Sequence, residues 1–203
     1  WAARLRALHL SDSMVTPRDW PDGLAFAEVA QAIGAALPPD AIVTLDAGTF
    51  GAPFYRKVMW RPGQRLLAPI SGAMGFGVPA AVGAALRCPG RTVLCAVGDG
   101  GALMTGGELA VALERRLPLK LVLSENGGYG SIRIHQEAAH PGRVSGTMFA
   151  NPDFGRWIEG FGLPLLRVEG RGDLPAMQDA IRATGPAGIL VRTSMAAVLP
   201  QAS

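Results

Sequence analysis

Asp99 and Asn126 are the residues whose type and spacing point most directly to chemistry. Asp99 lies in Gly98-Asp99-Gly100-Gly101, directly after the apolar run 93–97. Asn126 follows 27 positions later, just beyond the run 119–123 and Ser124-Glu125. Each run has the length of a strand, and the stretch between them suits one helix. Two parallel strands joined by a crossover helix would set Asp99 and Asn126 at neighbouring carboxyl ends of one sheet. There, a carboxylate and an amide oxygen beside glycine-exposed backbone N–H groups can hold a magnesium ion and a diphosphate together. Gly98, Gly100 and Gly101 would let the loop turn sharply and let phosphate oxygens approach the backbone. The helix that follows would point free N–H groups at an anion. In Asn126-Gly127-Gly128-Tyr129-Gly130, Gly128 can offer its carbonyl to the same ion. Taken singly, Gly-Asp-Gly also fits a plain strand-to-helix turn, and Asn-Gly a hairpin-like turn. The two motifs at this spacing favour the metal and diphosphate.

The rest of the chain must position these residues. Residues 1–21 read as an approach segment, with a short helix over 1–10 carrying Leu5 and Leu8, and with Pro17 and Pro21 breaking regular structure. Asp22 is the expected N-cap of a helix to about Leu37, with Phe26, Val29, Ile33 and Leu37 on one face. A buried strand over 41–45 ends at Asp46-Ala47-Gly48-Thr49, and a short helix follows through Tyr55. Residues 65–68 form a weak strand. The stretch 71–77 opens a small-residue helix to Leu86. Strand 92–97, a helix near 107–115 and strand 119–124 come next, then a helix through about Gln136. Residues 138–150 read as irregular. Asp153 caps a helix with Phe154, Trp157, Ile158 and Phe161 inward. Strand 163–168, a helix capped by Asp173 with Leu174, Met177 and Ile181 inward, and strand 188–192 complete the pattern. Strands alternating with helices predict an α/β fold: a doubly wound, mostly parallel six-stranded sheet with helices on both faces.

The 203 residues suffice for one sizeable domain, and 49% hydrophobic with 17% charged content suits a mostly buried sheet. A formal charge of +3 with scattered basic residues argues against a nucleic-acid partner. No apolar stretch reaches the ~18 residues that span a bilayer, so no membrane partner is expected. Cys88 and Cys95 fit no metal spacing and read as ordinary small hydrophobes in a reduced, cytoplasmic protein. The chain begins at Trp1 and is read as a piece of a longer polypeptide: 1–21 a linker from an upstream domain, 22–203 the cofactor-binding domain.

With these residues in view, the sequence resembles the diphosphate-binding domain of thiamin diphosphate-dependent enzymes, in which a G-D-G is followed some 25 to 30 residues on by N-N. Within that family it resembles the acetolactate synthase-like group. Ser71-Gly72-Ala73-Met74-Gly75-Phe76-Gly77-Val78-Pro79-Ala80-Ala81 is similar to that group's S-G-x-x-G-x-G-x-P-A-A stretch. So are Gly142-Arg143-Val144-Ser145-Gly146-Thr147 and the following Asn151-Pro152-Asp153-Phe154. The resemblance implies thiamin diphosphate and Mg2+ as cofactors, with Asp99, Asn126 and the Gly128 carbonyl as metal ligands. It implies that Gly48 and Thr49 touch the diphosphate from the other side and that Gly98, Gly100, Gly101 and Tyr129 line the cofactor. Gly72 would meet the aminopyrimidine through its backbone. The Met74 side chain would sit beneath the bent cofactor, although by itself Met74 also fits a gap-filling core residue. Ser131, Ile132 and His135 match a helix that faces substrate, although a lone His also fits a solvated or structural role.

Two departures stand out. The family's N-N is Glu125-Asn126 here, which sets an extra carboxylate near two phosphates, and Thr49 stands where close relatives often carry Asn or Gln. Glu108 is expected to be structural, and Lys120 and Arg133 solvated. The catalytic residue itself is not assigned, because the activating glutamate of this family lies on a separate pyrimidine-binding domain, of the same or a neighbouring chain. The resemblance therefore implies a homodimer or homotetramer that decarboxylates a small 2-oxo acid, followed by carboligation or protonation. This chain alone would be inactive. The helix over 75–86 and Trp60 are candidate interface elements. Two further readings remain open: a separate subunit of a two-chain 2-oxo acid decarboxylase, and a non-catalytic cofactor-binding module.

Overall fold

A computed structural model describes residues 1–199, so the last four residues of the expected domain, 200–203, lie outside it. Helix α1 (Ala2–Ser13) is exposed over most of its length. Helix α2 (Phe26–Ala36) leads into β1 (Ile42–Leu45), a 3-10 turn at Thr49–Gly51, α3 (Ala52–Arg56) and the short strand β2 (Arg65–Leu67). Then come α4 (Gly77–Arg87), β3 (Val93–Gly98), α5 (Asp99–Thr105), α6 (Leu109–Glu114) and β4 (Leu119–Glu125). Helices α7 (Gly130–Ala139) and α8 (Phe154–Gly160), strand β5 (Leu165–Val168), α9 (Leu174–Arg182) and β6 (Ala187–Arg192) complete the fold. The sheet order is β2-β1-β3-β4-β6-β5, with every neighbouring pair parallel. This is the α/β, six-stranded arrangement that the alternation of runs predicts.

Strand side chains alternate between two cores. Leu94 and Ala96 of β3 join α2, α3 and α9 through Val29, Ile33, Phe54, Met177 and Ile181. Val93, Cys95 and Val97 face α4, α6 and α8 through Val78, Ala81, Leu109 and Ile158. Burial on both faces explains why the strands read as continuous apolar runs. It also pushes the Cys95 thiol up to about 12, so Cys95 behaves as a small hydrophobe.

Several local expectations are corrected. The N-cap of α2 is Ala25, and the Asp22 carboxylate instead accepts from Ser194 Oγ at 2.5 Å and Ala196 N at 3.1 Å, tying this segment to the chain after β6. Asp173 stands at the start of α9, but its carboxylate reaches back to the N–H groups of Glu169 and Gly170. Asp153 does cap α8, accepting from Arg156 N at 3.1 Å. The single helix expected between Asp99 and Leu119 is two helices joined by a 3-10 turn at Gly106–Glu108, where Trp157 packs so closely on Gly106 that a Cβ would stand 2.5 Å from the ring. Residues 71–76 form a turn, and the helix they were expected to open starts at Gly77. Glu108 is exposed. Lys120 is 2% exposed, its stem inside the fold and its Nζ donating to the Ala183 carbonyl at 2.9 Å. Trp60 packs on the core and donates Nε1–H to the Phe54 carbonyl at 3.0 Å. No helix among the described residues is long and apolar enough to cross a membrane.

Candidate cofactor site

The sheet order reverses beside β1: the chain passes from β1 outward to β2, then returns to lay β3 on the other side of β1. Parallel α/β sheets open a crevice at such a point, outside the carboxyl ends of the strands. A cleft lies there, lined from β1 by Ala47, Gly48 and Thr49, from β3 and α5 by the stretch 98–101, and from β4 and α7 by Asn126, Gly128, Tyr129 and Ser131. Met74 stands where this cleft meets an outer one, which Gly48, Thr49, Tyr55, Gly72, Ser131 and Ile132 help to line.

Asp99 is the first residue of α5 and is 2% exposed. Because Gly98 pairs with Ser124 in the sheet, Asp99 leaves β3 beside the point where Asn126 leaves β4. The carboxylate is held entirely by N–H groups. Its Oδ1 accepts from Gly100 N at 2.8 Å, and Oδ2 accepts from Asn126 N at 2.9 Å, Gly127 N at 2.7 Å and Asn151 Nδ2 at 3.0 Å. The Asn126 amide oxygen accepts from Gly128 N at 3.1 Å, folding the side chain over its own turn. That turn is braced by a segment the sequence marked only as irregular: Tyr129 N donates to the Thr147 carbonyl, and Phe149 N to the Gly127 carbonyl. Tyr129 packs at a tilt on Phe149 and lies flush against Gly100, where a Cβ would stand 2.5 Å from the ring. Gly72 takes a left-handed φ of +69°, which explains a glycine at that turn.

The cleft offers one carboxylate, one amide oxygen and backbone carbonyls, the hard oxygen donors that magnesium prefers. Among the described residues that line it, none is lysine or arginine. A diphosphate there would therefore meet N–H dipoles and one buried carboxylate. A divalent cation held by Asp99 would offset that repulsion. The residues present thus fit a magnesium diphosphate.

Ser131 and Ile132 reach the clefts, whereas His135 is exposed on α7 and lines neither of them. Glu125 lines a different cleft, with Asp22, Asn151, Glu169 and Arg192. Asn151 Nδ2 links it to Asp99, donating to Glu125 Oε1 at 3.2 Å. Two site residues escaped the sequence reading: Asn151, which was noted only as part of a matching stretch, and Asp46, which is buried between β1 and the turn before α4.

Residues 46–191 match the family model described as thiamine pyrophosphate enzyme, C-terminal TPP binding domain. The chain belongs to that family. Within it the TPP-binding domain is acetolactate synthase-like. It is 35% identical over 181 residues to the acetolactate synthase isozyme 1 large subunit of Escherichia coli, covering 84% of this chain and 31% of that protein. It is 31% identical over 157 residues to pyruvate oxidase of Lactiplantibacillus plantarum, covering 77% of this chain and 26% of that protein. Among solved structures, the thiamine diphosphate-dependent 4-hydroxybenzoylformate decarboxylase of Rhodococcus jostii superposes with a TM-score of 0.80 at 30% identity, covering 89% of this chain and 34% of that one. The domain therefore spans about a third of the length of such relatives.

Proposed function

We propose that this chain holds thiamin diphosphate with magnesium and forms the cofactor-binding part of an acetolactate synthase-like enzyme that decarboxylates a 2-oxo acid, with carboligation or protonation to follow. The observation that carries the reading is the buried Asp99 carboxylate, fixed by N–H groups beside Asn126 and Gly128 in a cleft that no lysine or arginine lines among the described residues. In this reading Asp99, the Asn126 amide and the Gly128 carbonyl hold the metal. Gly98, Gly100 and Gly101 present N–H groups to the diphosphate, and Gly48 and Thr49 close on it from β1. Tyr129 walls the cleft. Gly72 and Met74 meet the ring portion, and Ser131 and Ile132 face substrate. When bound, thiamin diphosphate supplies the electron sink that lets CO2 leave a 2-oxo acid. The chain's own contribution is to hold, orient and shield.

The activating glutamate would come from a pyrimidine-binding domain of the same or a neighbouring chain, which makes the working enzyme a dimer or tetramer. Exposed Tyr55, Ile70 and Ile132 around the outer cleft support a partner on that face. Residues 22–203 would be the cofactor domain, and the exposed segment 1–21 the link from an upstream domain.

Calorimetric titration of the full chain with thiamin diphosphate tests the reading, in magnesium and after chelation. Binding should require the metal, and Asp99→Ala should weaken it by about 100-fold or more, the scale of losing a charged ligand. Equal binding with and without the metal, or by the variant, would refute it.

A further inference from the structure

Asp46 is a second buried carboxylate, 2% exposed, at the carboxyl end of β1. Its Oδ1 accepts from Ala47 N at 2.7 Å and Gly75 N at 2.9 Å, and its Oδ2 from Gly75 N at 3.0 Å and Gly77 N at 2.9 Å. Both oxygens are therefore committed to backbone N–H groups, and two of those groups, on Gly75 and Gly77, lie just after Met74. The contact is close on both sides: a Cβ at Gly77 would stand 3.1 Å from Asp46 Cβ, and one at Gly101 3.1 Å from Asp46 Cγ. The same stretch is held at two further points. Thr105 Oγ1 donates to the Gly75 carbonyl at 2.8 Å, and Thr44 Oγ1 donates to the Gly77 carbonyl at 2.9 Å. Gly75, the residue after Met74, thus has its N–H fixed by Asp46 and its carbonyl fixed by Thr105. Met74 itself projects to the junction of the two clefts, its Cε 3.2 Å from where a Gly100 Cβ would be.

We infer that Asp46, with Thr105, is a positioning residue for Met74. The pair fixes the turn so that the Met74 side chain stands between the inner cleft beside Asp99 and the outer cleft, and so governs how the ring portion of thiamin diphosphate is seated, apart from its diphosphate. The inference rests on the functional reading above. A buried carboxylate is costly unless fully hydrogen-bonded. Here its bonds are spent on the turn that carries Met74 and on the start of α4.

The test compares magnesium thiamin diphosphate with magnesium inorganic diphosphate, titrated calorimetrically into the full wild-type chain and into Asp46→Asn, Thr105→Val and Met74→Ala. The wild type should bind thiamin diphosphate more tightly than inorganic diphosphate. Asp46→Asn should weaken thiamin diphosphate about tenfold, the scale of hydrogen bonds to a charged group, and inorganic diphosphate by less than about twofold. Thr105→Val keeps the shape and the buried carboxylate, so it answers the same question if Asp46→Asn does not fold, with an expected loss of about threefold confined to thiamin diphosphate. In a Met74→Ala background, Asp46→Asn should add less than about a further twofold, because residues that act through one another are not additive. Equal loss of both ligands, an unchanged ratio, or full additivity would overturn the inference and leave the site reading standing. Failure of the wild type to bind either ligand would overturn the site reading and the inference with it.

Discussion

Asn151 shows how one amide lets two carboxylates share a corner of the fold. Its Nδ2 donates to Asp99 at 3.0 Å and to Glu125 at 3.2 Å, while its Oδ1 is buried without a hydrogen-bond partner among the described residues. Turning the amide over would aim its oxygen at both carboxylates, so the observed orientation is the only workable one. Burial pushes the Glu125 carboxyl above its usual range, with the Asn151 hydrogen bond opposing and the Asp99 charge adding to the rise. Asn151→Leu removes the shared donor and leaves the two acids facing each other. The variant should lose about 1–3 kcal/mol in urea denaturation, the cost of a buried polar group left unpaired. Adding Glu125→Gln should recover part of the loss, since the repulsion then disappears. A full loss in the double variant would show that Asn151 matters only for packing. Neither Asn151 nor Asp46 was legible as a site residue in the sequence, for a physical reason. Asp99 and Asn126 announce themselves because strand-end motifs are local, whereas Asn151 meets Asp99 across 52 positions and Asp46 meets Gly75 across 29, with no period to connect them.

At the scale of elements, the strands carry the clearest message and the helix boundaries the weakest. Lys120 marks one place where pattern and environment part. It interrupts the apolar run of β4, and a lysine ordinarily reads as solvated. Here its stem lies in the fold and its ammonium reaches the carbonyl of Ala183, the residue just after α9, where the helix dipole is negative. Burial holds the Lys120 pKa below the ordinary lysine value. The folded chain therefore gives up this proton at lower pH than the unfolded chain does. Between the lowered value and the unfolded value of about 10.4, the unfolded state binds more protons, so stability rises with pH through that window. Lys120→Met should lack this rise, and thermal melts of the two proteins across alkaline pH measure the difference. Parallel slopes would place the lysine charge in solvent. The six strands were readable because burial on both faces writes itself as apolar runs. The break between α5 and α6 was not, because Trp157 packing on Gly106 is a tertiary contact that no helical period records. The caps expected of Asp22 and Asp173 failed likewise: each carboxylate found other partners, Asp22 in the distant chain after β6 and Asp173 in the turn just before its helix.

Across the whole molecule, two cores pack on either side of one sheet, yet the apolar surface is not evenly spread. Tyr55 and Ile132 line the outer cleft, and fully exposed Ile70 lies between the cleft residues Pro69 and Gly72. Single exposed apolar side chains need no explanation, but a group of them around a cleft marks a surface that something covers. The position of the group fits the proposed assembly. A pyrimidine-binding domain seated there would complete the outer cleft and exclude water from the ring portion of the cofactor. Ile70 makes little contact within the chain, so Ile70→Asp should leave the melting temperature unchanged. In the longer protein that carries a pyrimidine-binding domain, it should shift the assembly toward smaller species in sedimentation velocity, because burying an unpaired carboxylate in an interface is unfavourable. Binding of magnesium inorganic diphosphate should persist in the same variant, since that cleft lies inward of the contact. An unaltered sedimentation profile would place the subunit interface elsewhere, and the exposed group around the outer cleft would then have to be explained by substrate alone.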